Sequence, residues 1–224
     1  MAKKNKNSNY VTDKTIAAKN EKEAAKEKEK KDKLVKTIVL SVGIPIVVIG
    51  LIVGILFATG AFEYSPEPTY HATFSFDDGS SLHIELYGND APETVKHFIQ
   101  LCEDGHFDGR AAHTFMNDRL FFGIEVPGSK GIKGEFKNNG FDNKVPTKKG
   151  VICMARGEDY DSAYGQFFLL TKNSSSVKGD YAAFGKITDL SALDGLLEKI
   201  TVTEDGRLTN SPKITDVSLH TAHH

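Results

Sequence analysis

The sequence predicts a mainly β domain, a closed barrel of short strands capped by two helices, preceded by one transmembrane helix. Three observations in the 224-residue chain carry this. An uncharged run of 26 residues, TIVLSVGIPIVVIGLIVGILFATGAF, covers 37–62. Beyond it lie many short alternating or apolar stretches bounded by turn residues, with two separated helical patterns among them. The charge is also divided. Residues 1–36 carry 12 Lys against 6 acidic residues, and residues 63–224 carry 16 basic against 24 acidic, so the formal net charge of −2 joins a +6 arm to a −8 domain. That acidic balance argues against nucleic acid as a partner of the larger part. Two Cys are too few for a disulfide framework or a zinc site of the usual kind.

The arm at 1–36 is rich in Lys, Glu and Ala. Its Glu–Lys spacings favour helix, but it lacks an apolar stripe, which predicts a solvated, partly disordered cytoplasmic tail with an attraction for anionic lipid heads. The run at 37–62 is long enough to cross a hydrocarbon core of roughly 30 Å, and only a helix satisfies its backbone there. It exceeds the roughly 7–15 apolar residues of a signal peptide. Lys26, Lys28, Lys30, Lys31, Lys33 and Lys36 crowd one edge and Glu63 and Glu67 flank the other. The positive-inside rule therefore leaves the N-terminus cytoplasmic and the rest extracytoplasmic. Pro45 predicts a kink, and Gly50 and Gly54 form a weak GxxxG face for a homodimer. Residues 63–69, with two prolines, read as an extended linker.

The domain follows at 70–220, with a short tail at 221–224. Tyr70–Phe76 and Leu82–Leu86 alternate around an Asp-Asp-Gly-Ser turn and read as a β-hairpin. Asp90 is placed to cap a helix with Pro92 in its first turn. Val95, Phe98, Ile99 and Cys102 form its apolar stripe and Gly105 ends it. Gly150–Ala155, Phe167–Thr171, Ala182–Ile187 and Lys213–Leu219 read as strands, and Ser191–Ile200 as a second helix. Cys102 and Cys153 fall in apolar patterns, which predicts buried thiols. His220, His223 and His224 offer at most a loose metal site on a frayed end.

Four strings then carry a resemblance. LHIELYGNDAPETVKHFIQLCEDGHFDG (Leu82–Gly109), GVICMAR (Gly150–Arg156), DSAYGQFFLL (Asp161–Leu170) and YAAFGKI (Tyr181–Ile187) occur in this order with compatible spacing. Together they resemble the cyclophilin family of peptidyl-prolyl cis-trans isomerases, from Tyr70 to about Leu219. The resemblance implies an eight-stranded antiparallel barrel with a peptide groove on its outer face, no cofactor and no metal. Its partners would be proline-containing segments of unfolded or partner proteins.

Such catalysis needs neither nucleophile nor metal. Rotation about an X-Pro bond meets a barrier of roughly 18–20 kcal/mol, and a site lowers it by holding the ring in a dry apolar pocket and placing a donor near the proline nitrogen. The family supplies that donor from an arginine in F-H-R-x-I-x-x-F-M-x-Q-G-G-D. Here the ungapped register, anchored by Gly109, His113 and Gly123, puts Thr114 at the arginine position. Arg119 and Leu120 stand at the pocket Phe and Met, and Phe122 at the groove Gln. The resemblance places Met154, Ala155, Arg156, Gln166, Phe168 and Tyr181 in the peptide groove as well, with His113 beside it, and sets the family's Trp at Ser176. Thr has no permanent charge and no forked donor. The expectation is an isomerase assisting secreted or surface proteins with weak activity, Arg119 being its possible substitute donor. The alternative is an inactive peptide- or protein-binding module at the membrane surface.

Overall fold

The computed structural model describes residues 7–58 and 64–222. The expected end of the apolar run at 59–62, Glu63, His223 and His224 lie outside these residues. The chain divides into two units at residues 63 and 64.

In the first unit, helix α1 (Asn7–Ile38) passes through a π-turn (Val39–Gly43) into helix α2 (Ile44–Ala58). The arm, expected to be partly disordered, is helical from Asn7 on. Ion pairs Glu27–Lys31 (2.9 Å) and Glu29–Lys33 (2.8 Å), each four residues apart, contribute a few tenths of a kcal/mol apiece. Pro45 explains the π-turn. It lacks an N–H and its ring crowds the carbonyl one turn back, so the preceding turn widens and the Ile44 N–H donates to the Val39 carbonyl. The Thr37 and Ser41 hydroxyls donate to the Lys33 and Thr37 carbonyls, which removes unpaired polar groups from the apolar stretch. Among the described residues this is the one helix long and apolar enough to cross a membrane. Gly50 and Gly54 have open space beside them.

The second unit is an eight-stranded antiparallel sheet with two helices. Its elements are β1 (Tyr70–Phe76), β2 (Ser81–Leu86), α3 (Pro92–Glu103), β3 (Thr114–Met116), β4 (Arg119–Gly123), β5 (Val151–Met154), β6 (Gln166–Leu170), β7 (Ala183–Ile187), α4 (Leu190–Lys199), β8 (Thr201–Val202), β9 (Leu208–Asn210) and β10 (Ile214–Thr221). The sheet order is β10-β1-β2-β7-β5-β6-β4-β3, with β8 and β9 forming a separate two-stranded ribbon. The hairpin, both helices and the four later strands fall where the sequence places them, to within a residue or two.

The barrel is not closed, contrary to expectation. β3 has only three residues, and its free edge is taken by the turn before β9. The Phe115 N–H donates to the Gly206 carbonyl and the Leu208 N–H to the His113 carbonyl. β10 reaches that side through the isolated Ala111–Lys213 bridge and through Ile214, whose N–H donates to the Arg110 carbonyl and whose carbonyl accepts from the Gly109 N–H, just after Pro212, which has no N–H to give. The result is a curled half-barrel, with residues 206–208 at the start of β9 paired to the free edge of β3.

The helix cap is a second correction. Asp90 does not cap α3: its carboxylate accepts from the Tyr64 hydroxyl at 2.9 Å. Glu135 takes that place, accepting the Glu93 and Thr94 N–H groups at 3.0 and 2.8 Å, and it is only 2% exposed. The stripe of α3 lays Phe98 into an aromatic core with Phe74, Phe107, Phe167 and Phe184, their ring centroids 4.9–6.2 Å apart. Cys102 and Cys153 are both buried and unpaired, and burial pushes both thiols above their ordinary pKa.

Candidate functional site

Strand pairing decides which side chains face outward. Directly opposed residues share a face, and neighbours along a strand face opposite ways. Thr114 opposes Phe121, Phe121 opposes Phe168, and Phe168 opposes Cys153, so these four form one row across the outer face of β3, β4, β6 and β5. Two residues along on the same face, Arg119 opposes Leu170 and Gly123 opposes Gln166. A small apolar cluster gathers there, with Cys153, Phe168, Val177 and Ala183 packed by Phe121, Ala155 and Tyr181.

The same alternation removes three residues expected in the groove. Leu120 opposes Leu169, and Phe122 opposes Phe167, which opposes Met154. Leu120, Phe122 and Met154 are at most 1% exposed, and all belong to the barrel core. Phe122 stacks on Phe167 with centroids 5.3 Å apart and planes 7° from parallel. The physical reason is the two-residue period: with Arg119 and Phe121 facing outward, Leu120 and Phe122 must face the core. Phe121 therefore takes the outward place assigned by motif to its neighbours.

Arg119, the first residue of β4, lies on the outward face. Its guanidinium carbon lies 5.2 Å from the Phe168 ring centroid and 5.1 Å from that of Tyr181. Phe121 and Tyr181 also pack on Phe168, at 5.3 and 5.1 Å, and Phe168 is left with 0% exposure. The Arg119 Nε is buried and has no hydrogen-bond partner. Among the described residues no carboxylate forms an ion pair with it; its neighbour Asp118 is taken by Lys172 at 2.9 Å.

Arg156 approaches Tyr181 as well, 5.0 Å from the ring centroid, and lies 4.7 Å from that of Tyr160. Its donors are engaged, however, with Nε donating to the Asp180 carbonyl at 2.9 Å and an η nitrogen to the Gly157 carbonyl at 2.8 Å. Arg207, which sequence reasoning missed, faces Thr114 through an isolated bridge, but its guanidinium is turned out to Asp205 at 3.2 Å and is 81% exposed. Only the fold brings it near Thr114, and no local pattern in the sequence marks it.

Thr114 shares its hydroxyl with the His113 Nδ1 at 2.8 Å. The His113 Nε2 is buried without a partner, and burial holds this ring's pKa below its usual value. Two clefts meet at Gln166. One, of about 490 Å³, is lined by Glu125, Ala155, Arg156, Asp161, Tyr164 and Gln166. The other, of about 510 Å³, is lined by His113, Gly123, Glu125, Gln166 and Leu208. Gly123 is required at this junction. Its φ is +83°, and a Cβ there would collide with the Gly165 carbonyl oxygen. Having no side chain opposite Gln166, it leaves that amide open to both clefts. No group of three or more His, Cys, Asp and Glu side chains is arranged to hold a metal among the described residues.

The family model described as cyclophilin type peptidyl-prolyl cis-trans isomerase/CLD matches residues 71–219. The chain is 28% identical over 163 residues to the peptidyl-prolyl cis-trans isomerase CYP65 of Arabidopsis thaliana, covering 70% of this chain and 27% of the relative. It is 26% identical over 140 residues to the spliceosome-associated protein CWC27 homolog of Xenopus laevis, covering 59% of this chain and 29% of that one. The chain thus spans less than a third of the length of these relatives. A crystal structure of a Cryptosporidium parvum cyclophilin type peptidyl-prolyl cis-trans isomerase, solved in the presence of the dipeptide Ala-Pro, superposes with a TM-score of 0.58 at 19% identity. That match covers 68% of this chain and 99% of the other.

Proposed function

Because the chain belongs to the cyclophilin-type peptidyl-prolyl cis-trans isomerase family, we propose that its outer β4–β6 face binds proline-containing segments and isomerises X-Pro bonds slowly. One observation carries the slow rate: Phe168, the ring that would floor the prolyl pocket, has no exposed surface, and the Arg119 guanidinium lies over it. A prolyl ring reaches Phe168 only when that guanidinium moves aside. The second deficit is electrostatic. A donor aimed at the proline nitrogen gains strength as amide resonance is lost, and one such preorganised donor supplies about 3–4 kcal/mol. Thr114 stands at the family's donor position with a neutral hydroxyl already shared with His113. Gln166, open to both clefts, is suited to hold the peptide backbone, while Phe121 and Tyr181 form the walls.

The same proposal places the domain outside a membrane, tethered through residues 37–62 with the lysine-rich arm on the cytoplasmic side. There it would assist secreted or surface chains, whose proline isomerisation takes tens of seconds when uncatalysed. The alternative, a binding module without catalysis, is favoured by the neutral Thr114 hydroxyl where the family's arginine is expected, and differs only in rate.

The full chain is expected to remain in membranes through an alkaline wash; release overturns the tether. Extracted in mild detergent, it is expected to accelerate cis–trans exchange of an X-Pro peptide weakly, with Gln166→Ala several-fold slower still. Absence of both acceleration and peptide binding would refute the groove.

A further inference from the structure

The Arg119 guanidinium is costly where it lies. It is partly withdrawn from water, its buried Nε has no acceptor, and no carboxylate of its own chain pairs with it among the described residues. The surrounding domain does not lack candidates, since residues 63–224 hold 24 acidic side chains against 16 basic ones. The nearby cations are otherwise employed: Lys172 holds Asp118, Arg207 holds Asp205, and the Arg156 donors bind backbone carbonyls. Stacking on Phe168 and Tyr181 recovers part of the lost hydration, as cation–π contacts do, but leaves the forked N–H donors unused. A planar fork of this kind matches a carboxylate, and the charge-assisted pair is stronger than the ring contact it replaces.

We propose that the groove is selective for acidic segments, a carboxylate on the bound chain drawing Arg119 off Phe168 and so uncovering the ring for a neighbouring proline. This rests on the groove reading above and adds the class of segment it takes. The guanidinium acts as a gate with two positions, over the rings when the groove is empty and paired with the ligand's carboxylate when it is filled. A neutral prolyl peptide has to displace the cation with nothing to receive it, so it binds weakly. The carboxylate comes from an Asp or Glu close to the proline or from a chain terminus directly after it, and both present the same two oxygens.

Fluorescence anisotropy on the full chain in detergent tests this with four labelled peptides around one Ala-Pro core. Two are amidated with Glu or Gln beside the proline, and two have no acidic side chain and end after the proline in a free carboxylate or an amide. The wild type is expected to bind at least one carboxylate peptide about tenfold more tightly than its neutral partner. The pair showing the gap identifies the source, and added salt narrows it. Arg119→Gln should erase the preference. Arg119→Ala, which also clears the ring, should let the neutral peptides bind more tightly than they bind the wild type. Equal affinity of the wild type for all four peptides overturns the selectivity, as does a preference that survives Arg119→Gln. If no peptide binds either the wild type or Arg119→Ala, the groove reading itself falls.

Discussion

Two half-buried histidines make the domain sensitive to mild acid. Burial holds both His97 and His113 below their ordinary pKa of 6.5. His97 packs its ring against Tyr164, 4.9 Å between centroids, and its Nε2 meets the Tyr164 carbonyl at 3.0 Å. Below pH 6.5 the unfolded chain takes up protons that the folded rings refuse. Their contribution is therefore complete above that pH and is lost as the pH falls toward the depressed folded values. Melting temperatures are expected to drop between about pH 7.5 and 5.5, with His97→Gln flattening the slope; a pH-independent melt in that window contradicts it. Asp78 acts in a separate window. Hydrogen bonds from Lys199 and Ser80 hold its carboxyl near 2 against an ordinary 3.8, so its contribution is present above 3.8 and lost only as the pH approaches 2. At this scale the sequence was informative about chemistry and silent about direction. The resemblance singled out Thr114 and Arg119, but whether the Arg119 guanidinium would lie over Phe168 and Tyr181 depends on residues distant in sequence.

Among the elements, α3 shows what periodicity reveals and what it omits. Its apolar stripe and first-turn Pro92 are local features and were readable. Its cap was not, because the carboxylate that closes the helix belongs to Glu135, 41 and 42 residues from the N–H groups it accepts. A buried carboxylate held by two backbone donors at a helix N-terminus, where the helix dipole favours negative charge, stabilises the helix start. Glu135→Ala is expected to destabilise the domain by about 2 kcal/mol in denaturant unfolding, because two N–H groups lose a buried acceptor. Glu135→Gln, which keeps one carbonyl acceptor, should cost less. A change within about 0.5 kcal/mol for the alanine variant would assign the cap elsewhere. β4 gives the complementary case. Five residues, RLFFG, alternate correctly in the structure, yet four consecutive bulky side chains give no contrast from which a face could be read. Leu120 and Phe122 were expected outside because the resemblance sets them at the family's Met and Gln, and nothing in the strand's own pattern spoke against it.

For the whole molecule, the division into an apolar helix and a β domain followed from charge and hydropathy alone, and the family from four ordered strings. Barrel closure did not follow. It is decided by a three-residue strand whose free edge meets the turn before β9 rather than β10, a non-local competition that no segment's composition records. What joins these levels is the proposed site, in which Arg119 covers the Phe168 ring and the neutral Thr114 hydroxyl stands where the family's arginine is expected. The direct measurement is the rate constant for cis–trans exchange of a neutral X-Pro peptide, compared between the full wild-type chain and Thr114→Arg combined with Arg119→Phe. Clearing the ring and restoring the donor are expected to raise kcat/KM by about tenfold or more. A wild type already as fast as the double variant would contradict the account.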